Sequence, residues 1–366
     1  MYINPKNTQK SFDYITFLVL LFLASCGLLF IFSSTHTADK PFSIFFIKQC
    51  IGVIGGIVIY FLCLIPDYRN LMRWGYFAYF SVLALLLFTS AKGIIGMGAK
   101  RWVNVLFFRL QPSELTKVFF PACMTNYLHM QKKTVLFSYS IFLPILATLA
   151  FSFLLILKQP DLGTALIVLF SALTLCWLAG LNKKFFLYGL LTCIIMTPAL
   201  WTFTLHDYQK NRILVFLGYG DEKKERYQTE QASIAIGSGG IFGKGIFNGT
   251  QNRLRFLPES RTDFIFAVIC EECGLVGALT IISCYIILFF RSFFIITKIK
   301  DFYAQLFASG VLLHIIIATI VNISMVIGIL PVVGIPLPLI SYGLSNLWIT
   351  CACLGIFQNI AMHCRQ

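Results

Sequence analysis

The chain has 366 residues, 58% of them apolar and only 12% charged, with a formal net charge of +14. An average soluble domain carries roughly 25% charged residues, so the composition excludes an ordinary water-soluble protein. In a membrane chain the positive surplus points to anionic lipid headgroups and a phosphate-bearing substrate, not to nucleic acid.

Apolar runs of about 18 or more residues recur along the whole length, the mark of spanning helices. Ten spans fit, near residues 15–33, 44–66, 72–90, 113–130, 138–157, 162–180, 185–205, 263–290, 304–329 and 338–361. The sequence thus predicts an all-α polytopic membrane protein, a single bundle over residues 1–366. One large extracytoplasmic loop, residues 206–262, is expected between helices 7 and 8. The first run has no clear small-residue cleavage site after it and reads as a retained helix.

Orientation follows from the basic residues of the short connections. One side carries Lys6, Lys10, Arg69, Arg73, Lys132, Lys133, Lys183, Lys184, Arg291, Lys298, Lys300 and Arg365; the other carries Lys40, Lys92, Lys100, Arg101, Arg109 and Lys158. The larger set marks the cytoplasmic side and puts both termini there. Four of the smaller set fall in one loop, residues 91–112, against the usual bias, which suggests a use for that charge. Most of the twelve cysteines lie inside apolar runs and read as small buried hydrophobes.

The loop Lys100–Lys117, KRWVNVLFFRLQPSELTK, combines Arg101, Arg109 and Lys117 with Gln111, Ser113 and Glu114 around Pro112. Guanidinium forks and helix N-termini both suit a phosphate group, and Ser113 is a candidate N-cap. The interfacial Trp102 equally suits a membrane anchor. Lys158-Gln159-Pro160-Asp161 reads as a tight outward turn that opens the sixth span. Gln228–Gly240 is expected to form a short amphipathic helix or re-entrant piece at the interface.

Only fifteen residues are acidic, and a carboxylate at mid-membrane costs about 2.5–3.5 kcal/mol on insertion scales. Asp263 sits at the shallow start of the eighth span, about where headgroups meet water. Glu271 and Glu272 fall roughly 12 Å deeper at the helical rise. They are expected to pair with Lys48, His314 or backbone groups, with a proton path as the alternative. Between the last two spans, GILPVVGIPLPLISYGLSN holds three prolines and no charge; such a break must be buried in protein or line a cavity, here a groove wall. GSGGIFGKG fails as a nucleotide loop, because Gly245 stands where Ser or Thr is required. The five histidines show no metal-ligand spacing.

Taken together, RWVNVLFFRLQPSELTK, KQPDLGTA, HDYQKNRI, AIGSGGIFGKG, NGTQNRLRFLPESRTDFIFAV and LPVVGIPLPLISYG resemble, in order, the SEDS family of cell-wall proteins. GKGIFNGTQ with FLPESRTDFIFAV is more similar to its RodA branch than to its FtsW branch. Departures are Cys270-Glu271-Glu272-Cys273-Gly274 for GEELG, and Leu344 for a glycine in SYGGS.

The resemblance implies a peptidoglycan glycosyltransferase that polymerises lipid II on the outer face of the bacterial cytoplasmic membrane, partnered by a class B penicillin-binding protein. It implies that Asp263 is catalytic and that Arg101, Arg109, Gln111, Ser113, Glu114, Lys117 and Asp161 bind substrate. Lys158 and Arg212 are weaker candidates. The resemblance makes no cofactor certain, and a divalent cation would suit a pyrophosphate leaving group. A lipid II flippase and a scaffold for wall synthesis are the rival classes. Translocation without polymer growth would mark the first, and silence of changes at Asp263 the second.

Overall fold

The computed structural model describes residues 12–36, 42–96, 99–105, 108–131, 139–203, 207–217, 219, 223–254 and 256–364. Lys6, Lys10, Lys40, Lys132, Lys133, His206 and Arg365, used above for orientation and loop limits, lie outside the described residues. In chain order the elements are α1 (Tyr14–Thr35), α2 (Ile44–Leu62), α3 (Tyr68–Arg73), α4 (Gly75–Lys92), β1 (Ile94–Gly96), β2 (Ala99–Val105) and β3 (Phe108–Leu110). They continue with α5 (Pro112–Met130), α6 (Tyr139–Lys158), α7 (Leu162–Leu178), α8 (Lys183–Phe203), α9 (Asp207–Phe216) and α10 (Lys223–Gly239). The last four are α11 (Thr250–Arg253), α12 (Ile265–Ile296), α13 (Phe302–Val326) and α14 (Leu344–Cys364).

A helix stands at each of the ten expected spans. Among the described residues seven helices, α1, α2, α4, α6, α12, α13 and α14, are long and apolar enough to cross a membrane. The helices α5, α7 and α8 fill the other three places. Several helix ends differ from expectation by a few residues, and α12 runs on to Ile296. The last helix begins at Leu344, because residues 338–343 form turns and bends instead. The loop at 91–112 is not irregular but folds as an antiparallel sheet in the order β1-β2-β3. Asn104 pairs with Arg109 and Val103 with Leu110, in a stretch whose valines and tryptophan suit a pleated surface.

Lipid supplies no hydrophobic drive between helices, so close contact relies on small residues. Gly52 and Gly56 of α2 do this against α14: a β-carbon would lie 2.5 Å from Leu344 at the first and 2.9 Å from Cys351 at the second. The same crossing is fastened by Trp348 Nε1, which donates to the Gly52 carbonyl at 2.9 Å. Gly75 brings α4 equally close to the α5 backbone at Ala122. At the start of α1, Asp13 caps its own helix at Thr16 and binds Arg291 of α12 at 2.6 Å.

Helix α12 is broken inside. Gly274 has φ 64°, ψ −159°, a conformation open to glycine and hostile to other residues. The ladder freed there is completed by the turn after α10. Lys244 and Gly245 donate to the carbonyls of Glu271 and Glu272, and Leu275 and Val276 donate to those of Gly240 and Ile241. A β-carbon on Gly243 would lie 2.1 Å from the Glu272 carbonyl oxygen, so the turn docks backbone against backbone.

One side chain closes the α2–α3 connection. Asn359, 1% exposed, donates to the carbonyls of Cys63, Leu64 and Pro66 at 2.7–3.0 Å and accepts from the Tyr68 N–H. Leaving a buried polar group unmet costs about 1–3 kcal/mol. Asn359→Ala is therefore expected to lower the unfolding midpoint of the purified protein by several degrees, read by thermal unfolding in detergent.

Candidate active site

Asp263 lies in the turn of residues 261–264, just ahead of α12. Helix α12 does not use the carbonyls of Thr262 and Asp263, and two side chains take them. Ser341 Oγ donates to the Thr262 carbonyl at 2.5 Å, and Asn322 Nδ2 of α13 donates to that of Asp263 at 2.9 Å. The Tyr342 N–H binds the Arg261 carbonyl at 2.9 Å. The Arg261 guanidinium sits 3.9 Å above the centre of the Phe45 ring, a cation–π contact that holds the turn from its other side.

The segment 331–343 forms one wall of the site. At Gly334, φ 75°, a β-carbon would lie 3.6 Å from Asp263 Oδ2 and 3.9 Å from Arg212 Nη1. The carboxylate and the α9 guanidinium therefore meet over the same bare stretch of backbone. This agrees with the groove wall expected from the proline-rich sequence.

As a residue Asp263 keeps some exposure, yet its carboxyl is enclosed and sits well above the ordinary carboxylate range, at about 6. Burial is the largest cause, and the negative charge of Glu259 adds to it. Arg212 and Arg101 pull the other way, and Asp161 adds a smaller upward push. A carboxyl near neutrality is a competent proton acceptor.

Arg101 projects from β2 and lies 3.6 Å from Asp161 Oδ2. Gln111 Nε2 donates to the same oxygen, while Asp161 Oδ1 caps α7 at the Thr164 N–H, 3.2 Å away. Asp161 thus joins the sheet, the start of α5 and the start of α7. The buried Nε of Arg101 has no partner among the described residues, which leaves a charged donor for an anion.

The other expected binding residues are placed differently. Lys117 is buried, and its ammonium meets both oxygens of Glu114 at 2.7 Å; Asn346 adds a bond to Glu114 at 3.3 Å. Instead of presenting a free charge to pyrophosphate, Lys117 closes an ion pair inside the bundle. Ser113 is not the N-cap, because Gln111 takes that position with Pro112 behind it. The buried Ser113 hydroxyl has no partner among the described residues. Arg109 is exposed, and its carbonyl accepts from Ser345 at 2.9 Å. Lys158 is exposed at the end of α6.

Glu271 and Glu272 bind backbone groups, as one of the expected alternatives had it, but not Lys48 or His314. Glu271 takes Lys244 at 2.7 Å together with Thr250 and the Gln251 N–H, and Glu272 takes Ser33 of α1. The turn docked on the α12 break and the segment after it bring in the partners of Glu271. Among the described residues no cluster of three or more His, Cys, Asp or Glu is placed to hold a metal ion. Sequence reading passed over Asn322, Gly334, Ser341 and Glu259. Asn322, a lone amide in an apolar run, carried the one usable signal, since polar residues inside spans tend to be functional.

Comparison with known proteins bears on the chain as a whole. The FtsW/RodA/SpoVE family model, described as cell cycle protein, matches residues 13–366. The peptidoglycan glycosyltransferase MrdB of Escherichia coli K12 is 38% identical over 317 residues, covering 85% of this chain and 83% of that protein. RodA of Treponema pallidum, also a peptidoglycan glycosyltransferase, is 29% identical, covering 96% and 98%. Among solved structures, the rod shape determining protein RodA of Thermus thermophilus superposes with a TM-score of 0.72 at 25% identity, covering 98% and 100%. A chain from a peptidoglycan synthase complex that coordinates polymerization and crosslinking superposes at 0.80 with 27% identity, covering 96% and 98%. With the family model matched over nearly the whole chain and the fold in agreement, the chain belongs to the FtsW/RodA/SpoVE family of polytopic membrane proteins.

Proposed function

We infer that this protein is a RodA-like peptidoglycan glycosyltransferase that polymerises lipid II at the outer face of the bacterial cytoplasmic membrane. The observation that carries this reading is the carboxyl of Asp263, which meets the Arg212 guanidinium over the bare backbone at Gly334 and is enclosed by burial. In this reading residues 1–366 act as one membrane unit with both termini in the cytoplasm, and residues 206–262 are its outer loop.

The chemistry is a single inverting displacement. Asp263 takes the proton of the acceptor sugar's 4-hydroxyl as that oxygen attacks the donor anomeric carbon. The bond to the pyrophosphate oxygen breaks, and the lipid pyrophosphate leaves with the electron pair. Because that group already leaves readily, cations suffice in place of a general acid. Arg101 and Arg212 meet its charge, with Arg109 at the groove's exposed edge. Gln111 and Asp161 hold Arg101 in its orientation. The Glu114–Lys117 pair shapes the groove floor, with Ser113 beside it and Lys158 at the rim. A class B penicillin-binding protein is the natural partner, since the similar synthase complex joins polymerization to crosslinking.

Purified protein supplied with labelled lipid II tests this reading. Asp263→Asn should insert and fold normally yet lose about 10²–10⁴-fold in polymerisation, the usual worth of a positioned base. Polymer at the wild-type rate from that variant would remove Asp263 from the mechanism. A translocase would instead move lipid II without lengthening glycan.

The acid side of the pH profile gives a second test. A base acts only when deprotonated, so turnover should rise with pH through a midpoint near 6. Arg212 lowers the Asp263 midpoint and Glu259 raises it. Arg212→Gln should therefore move the acid limb to higher pH, and Glu259→Gln should move it lower.

A further inference from the structure

The two carbonyls beside the reacting carboxyl are unusual in being held entirely by side chains from elsewhere in the fold. Asn322 is fully buried, 0% exposed, and its amide nitrogen donates twice. One bond goes to the Asp263 carbonyl at 2.9 Å and the other to the Ile335 carbonyl at 2.7 Å. Ile335 directly follows Gly334, whose α-carbon faces the Asp263 carboxylate. A single amide therefore fixes both the residue that carries the carboxylate and the backbone lying against it. Ser341 repeats the pattern one residue earlier. It donates to the Thr262 carbonyl and accepts from the Leu337 N–H at 2.8 Å.

We propose that Asn322, seconded by Ser341, is a positioning residue for the reaction, clamping the Asp263 turn against the wall formed by residues 331–337. The clamp sets where the carboxylate points and how far water reaches it. An aspartate has two side-chain torsions, so once its backbone is fixed, little freedom remains for the carboxyl. Asn322 is also well chosen for the place. An amide supplies two N–H donors without charge, whereas a charged side chain at that depth would alter the field at Asp263. The charged groups that set this field stand on other elements: Glu259 in the preceding turn, Arg212 on α9, Arg101 on β2 and Asp161 at the start of α7. The segment 331–343 contains no charged residue, so its action on Asp263 is to exclude water.

The inference rests on Asp263 as the base, and the experiment keeps the two apart. Polymerisation of labelled lipid II by the full-length protein is measured across pH for wild type, Asp263→Asn, Asn322→Ala and Ser341→Ala. Asn322→Ala should lower kcat by about 10²-fold, the scale of a 1 Å misplacement, with KM within about threefold. Its acid limb should move down toward the ordinary carboxylate range as water reaches the carboxyl. Ser341→Ala should shift the limb the same way by less, and it carries the test should Asn322→Ala not fold. An acid limb at the wild-type midpoint in the folded variants, whatever their rate, would overturn the positioning role. Activity in Asp263→Asn would instead overturn the base assignment itself.

Discussion

A carboxyl that titrates near neutral pH has to be kept from water without losing its charge altogether. Enclosure does the first at Asp263, where burial is the dominant influence on the group. Arg212 and Arg101 prevent the enclosure from neutralising it outright. Isolated burial of an ionised carboxylate is prohibitive, and in practice such a group protonates. The balance between a bare backbone wall and two guanidinium groups is thus the constraint around which the rest is built.

The wall is itself non-helical chain inside a helical bundle, and every such stretch must have its polar groups met within the protein. Helices from all sides meet them. Gln49 of α2 donates to the Ser341 carbonyl and accepts from the Gly343 N–H, and Tyr285 of α12 donates to the Pro338 carbonyl. Asn322 of α13 takes the Ile335 carbonyl. Glycines allow two further helices to approach. Gly27 of α1 abuts Ile340, and Gly163 of α7 abuts Val333, with β-carbon positions 2.6 and 2.8 Å from their carbonyl oxygens. Three prolines remove N–H groups that would otherwise need partners, which fits their placement here.

Much of this was legible in the sequence because lipid is a severe reader. Helices of membrane length had to appear as apolar runs, and all ten expected positions are helical. The proline-rich break was recognisable for the same reason. Asp263, Arg101, Gln111 and Asp161 stood out as charged or polar residues at run boundaries, and the structure gathers them. What escaped were features set by backbone alone. Strands of three to seven residues are too short to show a period. Gly334 has no side chain to notice, and Asn322 acts through carbonyls that any residue would present. Of the partners expected for Glu271 and Glu272, backbone groups are present, while Lys244, Thr250 and Ser33 stand where Lys48 and His314 were expected. The Gly274 break lets a polar turn reach the two glutamates, and no count of residues foretells that.

That break also changes what α12 is as a mechanical object. The turn at 240–245 bonds the backbone on both sides of the break, at Glu271 and Glu272 above it and at Leu275 and Val276 below. The Lys244–Glu271 pair ties the same two pieces side chain to side chain. The turn thus splints α12 across its glycine break, and the end of the long polar segment and the helix on both sides of the break form one stiff unit leading up to the Asp263 turn. A load on the polar segment from a bound neighbour would enter the helix on both sides of the break at once rather than be dissipated in a slack loop.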